Sequence, residues 1–106
     1  MKAIRFVPGA LPEQIEIENT LEALQKQVGG HIQAVTVGPD LCAICNEEVL
    51  LMELPYMGLI NCVAFFGPVL LVGVNGEDFC DVPVLEIAPT GYKIWSKEKN
   101  NEAHPF

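Results

Sequence analysis

The stretch from Leu54 to Gly76 contains no charged residue and is long enough to cross a lipid bilayer. Turn-forming residues interrupt it repeatedly, at Pro55, Gly58, Asn61, Gly67, Pro68, Gly73 and Asn75. Proline and glycine at such short intervals break a helix, whereas they suit the turns between strands. We therefore predict that this stretch forms short strands and does not span a membrane.

Apolar runs of strand length also occupy most of the remaining chain. Met1–Val7 predicts a first strand, and Glu13–Glu18 alternates two isoleucines with polar residues, which is typical of a half-buried edge strand. Further strands are predicted at Ile32–Val37, Leu41–Cys45, Val63–Phe66 and Val69–Val74. Val49–Met57 stays ambiguous, because proline at position 55 disfavours a regular helix throughout.

One helix is predicted after the second strand. Asn19 and Glu22 have the spacing of a capping box, in which the asparagine side chain accepts from the first turn. Leu21, Leu24 and Val28 lie on one helical face, and the glycine pair at 29 and 30 ends the helix. Such a short helix depends on packing against a sheet.

The Asn75-Gly76 dipeptide predicts a β-hairpin with a type I′ turn, because both central residues of that turn have positive φ. Residues 77–81 would then return along the preceding strand. Many strands with one helix predict a small single α+β domain: a mainly antiparallel sheet with one principal helix packed on one face, in the order β-β-α-β-β-β-β. We assign residues 1–95 to this domain and residues 96–106 to a polar C-terminal tail.

The charge distribution is uneven. The 106-residue chain has a formal net charge of −8, and no lysine or arginine occurs between Gln27 and Tyr92. That span carries eight carboxylates: Asp40, Glu47, Glu48, Glu53, Glu77, Asp78, Asp81 and Glu86. Such a surface attracts basic partners and repels phosphates, so direct binding to nucleic acid is not expected. The alternative is that the acidity only keeps an apolar domain soluble.

Four cysteines and no evident secretory signal indicate reduced thiols in a cytoplasm. Cys42 and Cys45 form a C-x-x-C pair, which leaves structural zinc and redox chemistry as alternatives to core thiols. The pair also lies in a predicted strand, where residues three apart point to opposite faces. We predict core thiols and no metal or cofactor.

Candidate catalytic residues are few. His31 follows the helix-ending glycines and His104 lies in the tail, and neither a nucleophile elbow nor a phosphate-binding glycine loop is present. A Cys–His pair formed in space stays open. The neighbouring acids Glu47-Glu48 and Glu77-Asp78 are open to three interpretations: solvated turns, a partner-binding patch, or a metal or acid–base site. We predict a protein that is not an enzyme.

Three blocks of sequence carry a resemblance: Ile15–Gln25 with Val28–Ile32, then Ile44–Glu48, then Gly67–Phe79. Over roughly residues 1–81 the chain resembles a small domain family of uncharacterised function found in phages, plasmids and conjugative elements of Gram-positive bacteria. The resemblance implies a small α/β domain without established catalytic residues. Family members usually continue into an acidic helix, and Asp81–Pro89 departs from that pattern. Small acidic proteins of mobile elements include anti-restriction and anti-CRISPR proteins.

The charge and the resemblance together lead to a functional hypothesis. The chain is an anti-defence protein that inhibits a Cas9-type CRISPR nuclease, because an acidic surface docks in a basic channel and blocks loading of guide RNA or DNA. The candidate partner-binding residues are Glu47, Glu48, Glu53, Glu77, Asp78, Asp81 and Glu86. The alternative is a non-enzymatic binding module of a phage or plasmid, such as a nucleotide-signal sponge or an accessory regulator. A mean hydropathy of +0.29 further indicates that copies of the chain could associate as a homo-oligomer.

Overall fold

The computed structural model of the protein describes residues 1–83, 85–88 and 93–96, with side chains for residues 1–48 and 51–83. Within these residues the elements are β1 (Lys2–Phe6), β2 (Glu13–Glu16), α1 (Leu21–Val28), β3 (Ile32–Gly38), β4 (Leu41–Asn46), α2 (Val49–Met52), β5 (Tyr56–Ile60), β6 (Val63–Phe66), β7 (Val69–Asn75), β8 (Asp78–Cys80), β9 (Leu85–Ala88) and β10 (Lys93–Ser96). No helix in these ranges is long and apolar enough to cross a membrane.

The main sheet has six strands. Five follow the order β2-β1-β7-β4-β3, and the sixth, β8, pairs with the C-terminal end of β7. Every pairing in it is antiparallel. Of the three inner strands, β4 and β7 are the most buried, because both of their faces are covered. Their sequences are correspondingly continuous runs of apolar residues, with little alternation.

A helix covers one face of the sheet and a hairpin covers the other. On the helix side, Leu24 and Val28 of α1 pack against sheet residues such as Ile44 and Leu70. On the opposite side, Ile60 and Phe65 of the β5–β6 hairpin pack in a second cluster, which includes Leu71. The predicted mainly antiparallel sheet with one principal helix on one face is confirmed, and the hairpin adds a third layer.

The helix begins one residue later than the predicted capping box. The N-cap is Thr20, whose side-chain oxygen accepts a hydrogen bond from the Ala23 amide at 3.2 Å. Asn19 was the wrong choice because its side-chain amide instead donates to the carbonyl oxygen of Phe79, at 2.9 Å. The predicted end is confirmed: Gly29 has a left-handed φ of 82° and its amide donates to the carbonyl of Gln25.

The predicted turn at Asn75-Gly76 is also displaced by one residue. Asn75 pairs with Asp78, so the two turn residues are Gly76 and Glu77. Only Gly76 has a positive φ, 67°, which is the pattern of a type II′ turn. Glycine is required at the first position of that turn, and the flanking strand pairing leaves Asn75 inside β7.

The segment after β8 crosses closely over the end of β7. A methyl group built on Gly73 would overlap the carbonyl oxygen of Asp81 and would lie 2.9 Å from the sulfur of Cys80. The crossing segment is fixed to the first strand, since the Val82 amide donates to the carbonyl of Lys2 at 2.8 Å. The absence of a side chain at position 73 therefore allows the segment after β8 to cross β7 and reach β1.

The remaining elements resolve two regions that the sequence left open. Val49–Met57 is one helical turn, α2, followed by the start of β5. Near the C-terminal end, β9 and β10 pair with each other as a separate two-stranded sheet. Apart from Ser96, the predicted polar tail lies outside the described residues, as does His104.

Candidate functional site

Several acidic residues gather where β7 ends and β4 begins. The amide of Val74 donates to the carbonyl of Asp40 at 3.0 Å, so the β3–β4 turn lies beside the end of β7. The β7–β8 turn continues from the same point and carries Glu77, and Asp78 follows it as the first residue of β8. Backbone hydrogen bonds therefore bring two acidic turns from distant parts of the sequence to one end of the sheet.

The N-terminus adds two more carboxylates to this end. The backbone amide of Lys2 donates to the carboxylate of Asp81 at 2.8 Å. The amino group of Met1 lies 3.4 Å from the carboxylate of Glu16 and donates to the carbonyl of Ile17 at 2.7 Å. These contacts fix β1, β2 and the segment after β8 next to one another.

The beginning of α1 completes the cluster. Because the Asn19 side chain donates to the carbonyl of Phe79 in β8, the helix begins at the same end of the sheet. Glu18 precedes this contact, and Glu22 lies in the first turn of the helix. A carboxylate in the first turn interacts favourably with the positive end of the helix dipole, so Glu22 is compatible with a stable helix.

We call this group the acidic end; its members, all exposed, are Glu16, Glu18, Glu22, Asp40, Glu77, Asp78 and Asp81. Among the side chains that the structure describes, only Lys2 and the amino group of Met1 bring positive charge to it. The Met1 amino group is already occupied by Glu16 and Ile17. The potential at this end is therefore strongly negative.

The opposite end of the sheet has a mixed charge. Arg5 lies 3.9 Å from Glu13, and Lys26 lies in the last turn of α1. Glu47 and Glu48 follow β4 there, and Glu53 follows α2. The length of β7 separates the two ends, which is about 20 Å for a strand of this size.

The structure thus divides the predicted partner-binding residues. Glu77, Asp78 and Asp81 lie at the acidic end, whereas Glu47, Glu48 and Glu53 lie at the opposite end. The side chain of Glu86 lies outside the described part of the chain. Sequence reasoning did not include Glu16, Glu18, Glu22 and Asp40 in the site. Two signals could have included some of them: the pairing register of β1 with β2 for Glu16, and the start of the helix for Glu18 and Glu22.

The C-x-x-C pair has the geometry of core thiols. Cys42 packs in the cluster on the helix side of the sheet, and Cys45 packs in the cluster on the hairpin side. Burial raises the pKa of both thiols; a backbone hydrogen bond from Val35 partly opposes the shift at Cys42, and the nearby Cys42 adds to it at Cys45. Two side chains on opposite faces of one strand do not converge on a zinc ion.

The other candidate catalytic and metal-binding residues do not cluster in the described part of the chain. No group of three or more histidine, cysteine, aspartate or glutamate side chains in that part of the chain could hold a metal ion. His31 is exposed and its carbonyl accepts a hydrogen bond from the Glu47 amide, as expected for a residue at the start of a strand.

A groove of about 190 Å³ lies at the acidic end, and its lining consists of Thr36, Gly38, Asp40, Leu41, Val74 and Gly76. A phosphate group entering it would meet the carboxylate of Asp40 and the negative potential of the surrounding end. The groove is therefore poorly suited to nucleotides, and the acidic surface around it is the more prominent feature.

Comparison with known proteins adds a family. Residues 1–92 match the family described as "Domain of unknown function (DUF3846)". The chain belongs to the DUF3846 family. The DUF3846 match covers β1 to β9, and so includes the whole main sheet and every described residue of the acidic end. No curated protein and no solved structure matches the chain.

Proposed function

We propose that this DUF3846 protein is an anti-defence protein of a mobile genetic element, which acts by docking its acidic end on a basic, nucleic-acid-binding protein. The observation that supports this most is the clustering of seven exposed carboxylates, from three separate stretches of the sequence, around only two described cations. Opposite potentials steer association and select partners. The proposed partner is a Cas9-type nuclease, which holds its RNA and heteroduplex in positively charged channels.

The backbone at the acidic end is held in place by hydrogen bonds. The two turns are joined through Val74 and Asp40, and Asp81 is fixed by the Lys2 amide. A preorganised surface loses less conformational entropy on binding than a flexible acidic tail does. This rigidity supports a docking role in which carboxylates occupy positions that nucleic acid phosphates would take, and guide RNA or DNA is kept from loading. No covalent chemistry is needed.

The proposal predicts that charge reversal at the acidic end weakens binding. In the variant Glu77→Lys/Asp78→Lys, two neighbouring carboxylates of the β7–β8 hairpin become cations that repel a basic channel. We expect the dissociation constant for a purified Cas9-type nuclease to rise about tenfold or more, measured by interferometry. Binding of the natural sequence should also weaken as salt rises from about 0.05 M to about 0.5 M.

The matched control is Glu47→Lys/Glu48→Lys, which changes the net charge equally at the opposite end of the sheet. We expect it to leave the dissociation constant within about threefold, because these positions lie roughly 20 Å from the acidic end. Equal weakening by both variants would indicate a response to net charge alone. Unchanged binding by the Glu77→Lys/Asp78→Lys variant would overturn the proposed docking surface.

A further inference from the structure

The two outer strands of the main sheet differ in how they are protected. β2 is short and carries Glu13 and Glu16, and charges of this kind prevent edge-to-edge pairing of strands. β3 is seven residues long and contains no charged residue and no proline. Its only irregularity is a bulge between Thr36 and Gly38, at one end. Most of β3 is thus a regular, uncharged edge.

The hydrogen bonds already formed show which groups on this edge are open. The Glu47 amide donates to the carbonyl of His31, and in an antiparallel ladder such bonded pairs alternate along the strand. Gln33 and Val35 therefore bond to β4. The amide and carbonyl groups of the residues between them point away from the sheet, at Ile32, Ala34 and Thr36. β3 has no other partner strand in the described part of the chain.

We propose that β3 pairs with β3 of a second copy of this chain, antiparallel and across a twofold axis at Ala34. Ile32 of each copy then lies opposite Thr36 of the other, and each of these facing pairs exchanges two hydrogen bonds. Ala34 faces its own counterpart, where its small side chain permits close approach. The result is one continuous sheet through both copies.

Charge favours a second copy as the occupant of this edge. A chain with a net charge of −8 repels its own copies over most of its surface, so association requires an uncharged contact. β3 provides such a contact, and its sequence is self-complementary in the proposed register because apolar and hydroxyl side chains face one another. The antiparallel arrangement also directs the two acidic ends away from each other. The contact is made by β3 and not by the acidic end, so this proposal does not depend on the proposed function.

The test is the mass of the full chain in solution, measured by light scattering during size exclusion over a range of concentrations. We expect a species near twice the 11.6 kDa of one chain. The variant Ala34→Pro should shift it to the mass of one chain, because the proline ring replaces the outward amide and blocks the edge. No bond within the copy is lost, since that amide faces solvent.

The matched control is Gln14→Pro on the other edge. The Ile17 amide donates to the carbonyl of Met1, so by the same alternation the Gln14 amide also points away from the sheet. We expect this variant to retain the doubled mass. A monomeric natural sequence at every concentration, or an unchanged doubled mass for Ala34→Pro, would overturn the proposal.

Amide exchange of the natural sequence gives a test that does not depend on the folding of a variant. Concentrated protein should protect the amides of Ile32, Ala34 and Thr36, and dilution should release them together. The outward amides of Gln14 and Glu16 should exchange rapidly at both concentrations. If the β3 amides exchange rapidly in the concentrated chain and become protected only when a different protein is added, the occupant is that protein and the second-copy proposal fails.

Discussion

Asn46 is the only polar side chain among the fully buried residues that the structure describes. Its side-chain amide donates to the carbonyl of Val28 at 3.1 Å, and its side-chain oxygen accepts from the Glu48 amide at 2.7 Å. One residue thereby satisfies the end of α1 and the turn that follows β4. In the sequence, Asn46 and the two acids after it form a polar break between apolar runs. Its burial could not be predicted, because it depends on the end of α1 packing against it.

We expect Asn46→Ala to lower the free energy of unfolding by about 2–4 kcal/mol. The change leaves a buried carbonyl and a backbone amide without their partner and also creates a cavity. Urea denaturation measures the loss. The control is Asn19→Ala, which removes one exposed hydrogen bond to Phe79 and should lower the free energy by about 1 kcal/mol or less. Equal losses for the two variants would contradict a central role for Asn46.

The buried thiols make stability depend on pH in the alkaline range. Burial raises the pKa of Cys42 and Cys45 in the folded chain, whereas in the unfolded chain both thiols ionise near their ordinary value of about 8.5. Above that pH the unfolded state loses protons first. The stability present at neutral pH therefore declines as the pH rises, by at most about 1.4 kcal/mol per pH unit for each thiol.

The measurement is the free energy of unfolding in urea at pH values between about 7 and 10, compared with a Cys42→Ala/Cys45→Ala variant. We expect the natural sequence to lose stability more steeply than the variant above pH 8.5 or so. Parallel profiles would contradict the pKa shifts. This pair is also a case where sequence sufficed, because strand alternation alone predicts that residues three apart point to opposite faces.

At the scale of elements, the β5–β6 hairpin has an unusual turn. Ile60 pairs with Val63, so Asn61 and Cys62 are the turn residues, with φ values of 48° and 70°. This is the type I′ pattern that the sequence predicted at the β7–β8 turn. Asparagine tolerates it well, and Asn61 also donates to the carbonyl of Val37 at 2.8 Å. Cysteine at the second position is strained.

We expect Cys62→Gly to raise the free energy of unfolding by about 0.5–1 kcal/mol, because glycine adopts a positive φ without a steric penalty. Thermal and urea denaturation both measure the gain. On the same hairpin, Ala64→Gly serves as the control: Ala64 is exposed and lies inside β6, where glycine lowers stability by a similar amount. A loss of stability in both variants would show that the turn is not strained.

Most elements of the main sheet could be predicted, because their apolar runs and turn residues are local signals. The two displaced predictions, Asn19 and Asn75-Gly76, have one cause. In each case two neighbouring residues could serve the same local role, and a contact or pairing elsewhere in the fold decided between them. The hairpin layer could not be predicted, since nothing local specifies which sheet face β5 and β6 cover.

At the scale of the whole molecule, the candidate site could be predicted only in part. The absence of lysine and arginine between Gln27 and Tyr92 identified an acidic protein. It could not show that Glu47 and Glu77 lie at opposite ends of the sheet, or that Glu16 and Glu22 join Glu77. Those relations follow from the strand order, which places β7 between β1 and β4. The distribution of charge along the sequence therefore does not show which carboxylates lie close together in the fold.

The central position of β7 also has a consequence for synthesis of the chain. β1 and β2 are made first and β3 and β4 later, yet the two pairs are joined only through β7, which begins at Val69. Until that strand leaves the ribosome, each pair exposes an unfilled edge and the apolar face that β7 would help to bury. Folding is therefore expected to wait for most of the chain, and contacts so distant in sequence form slowly. During this interval the nascent chain would expose apolar surface that chaperones bind.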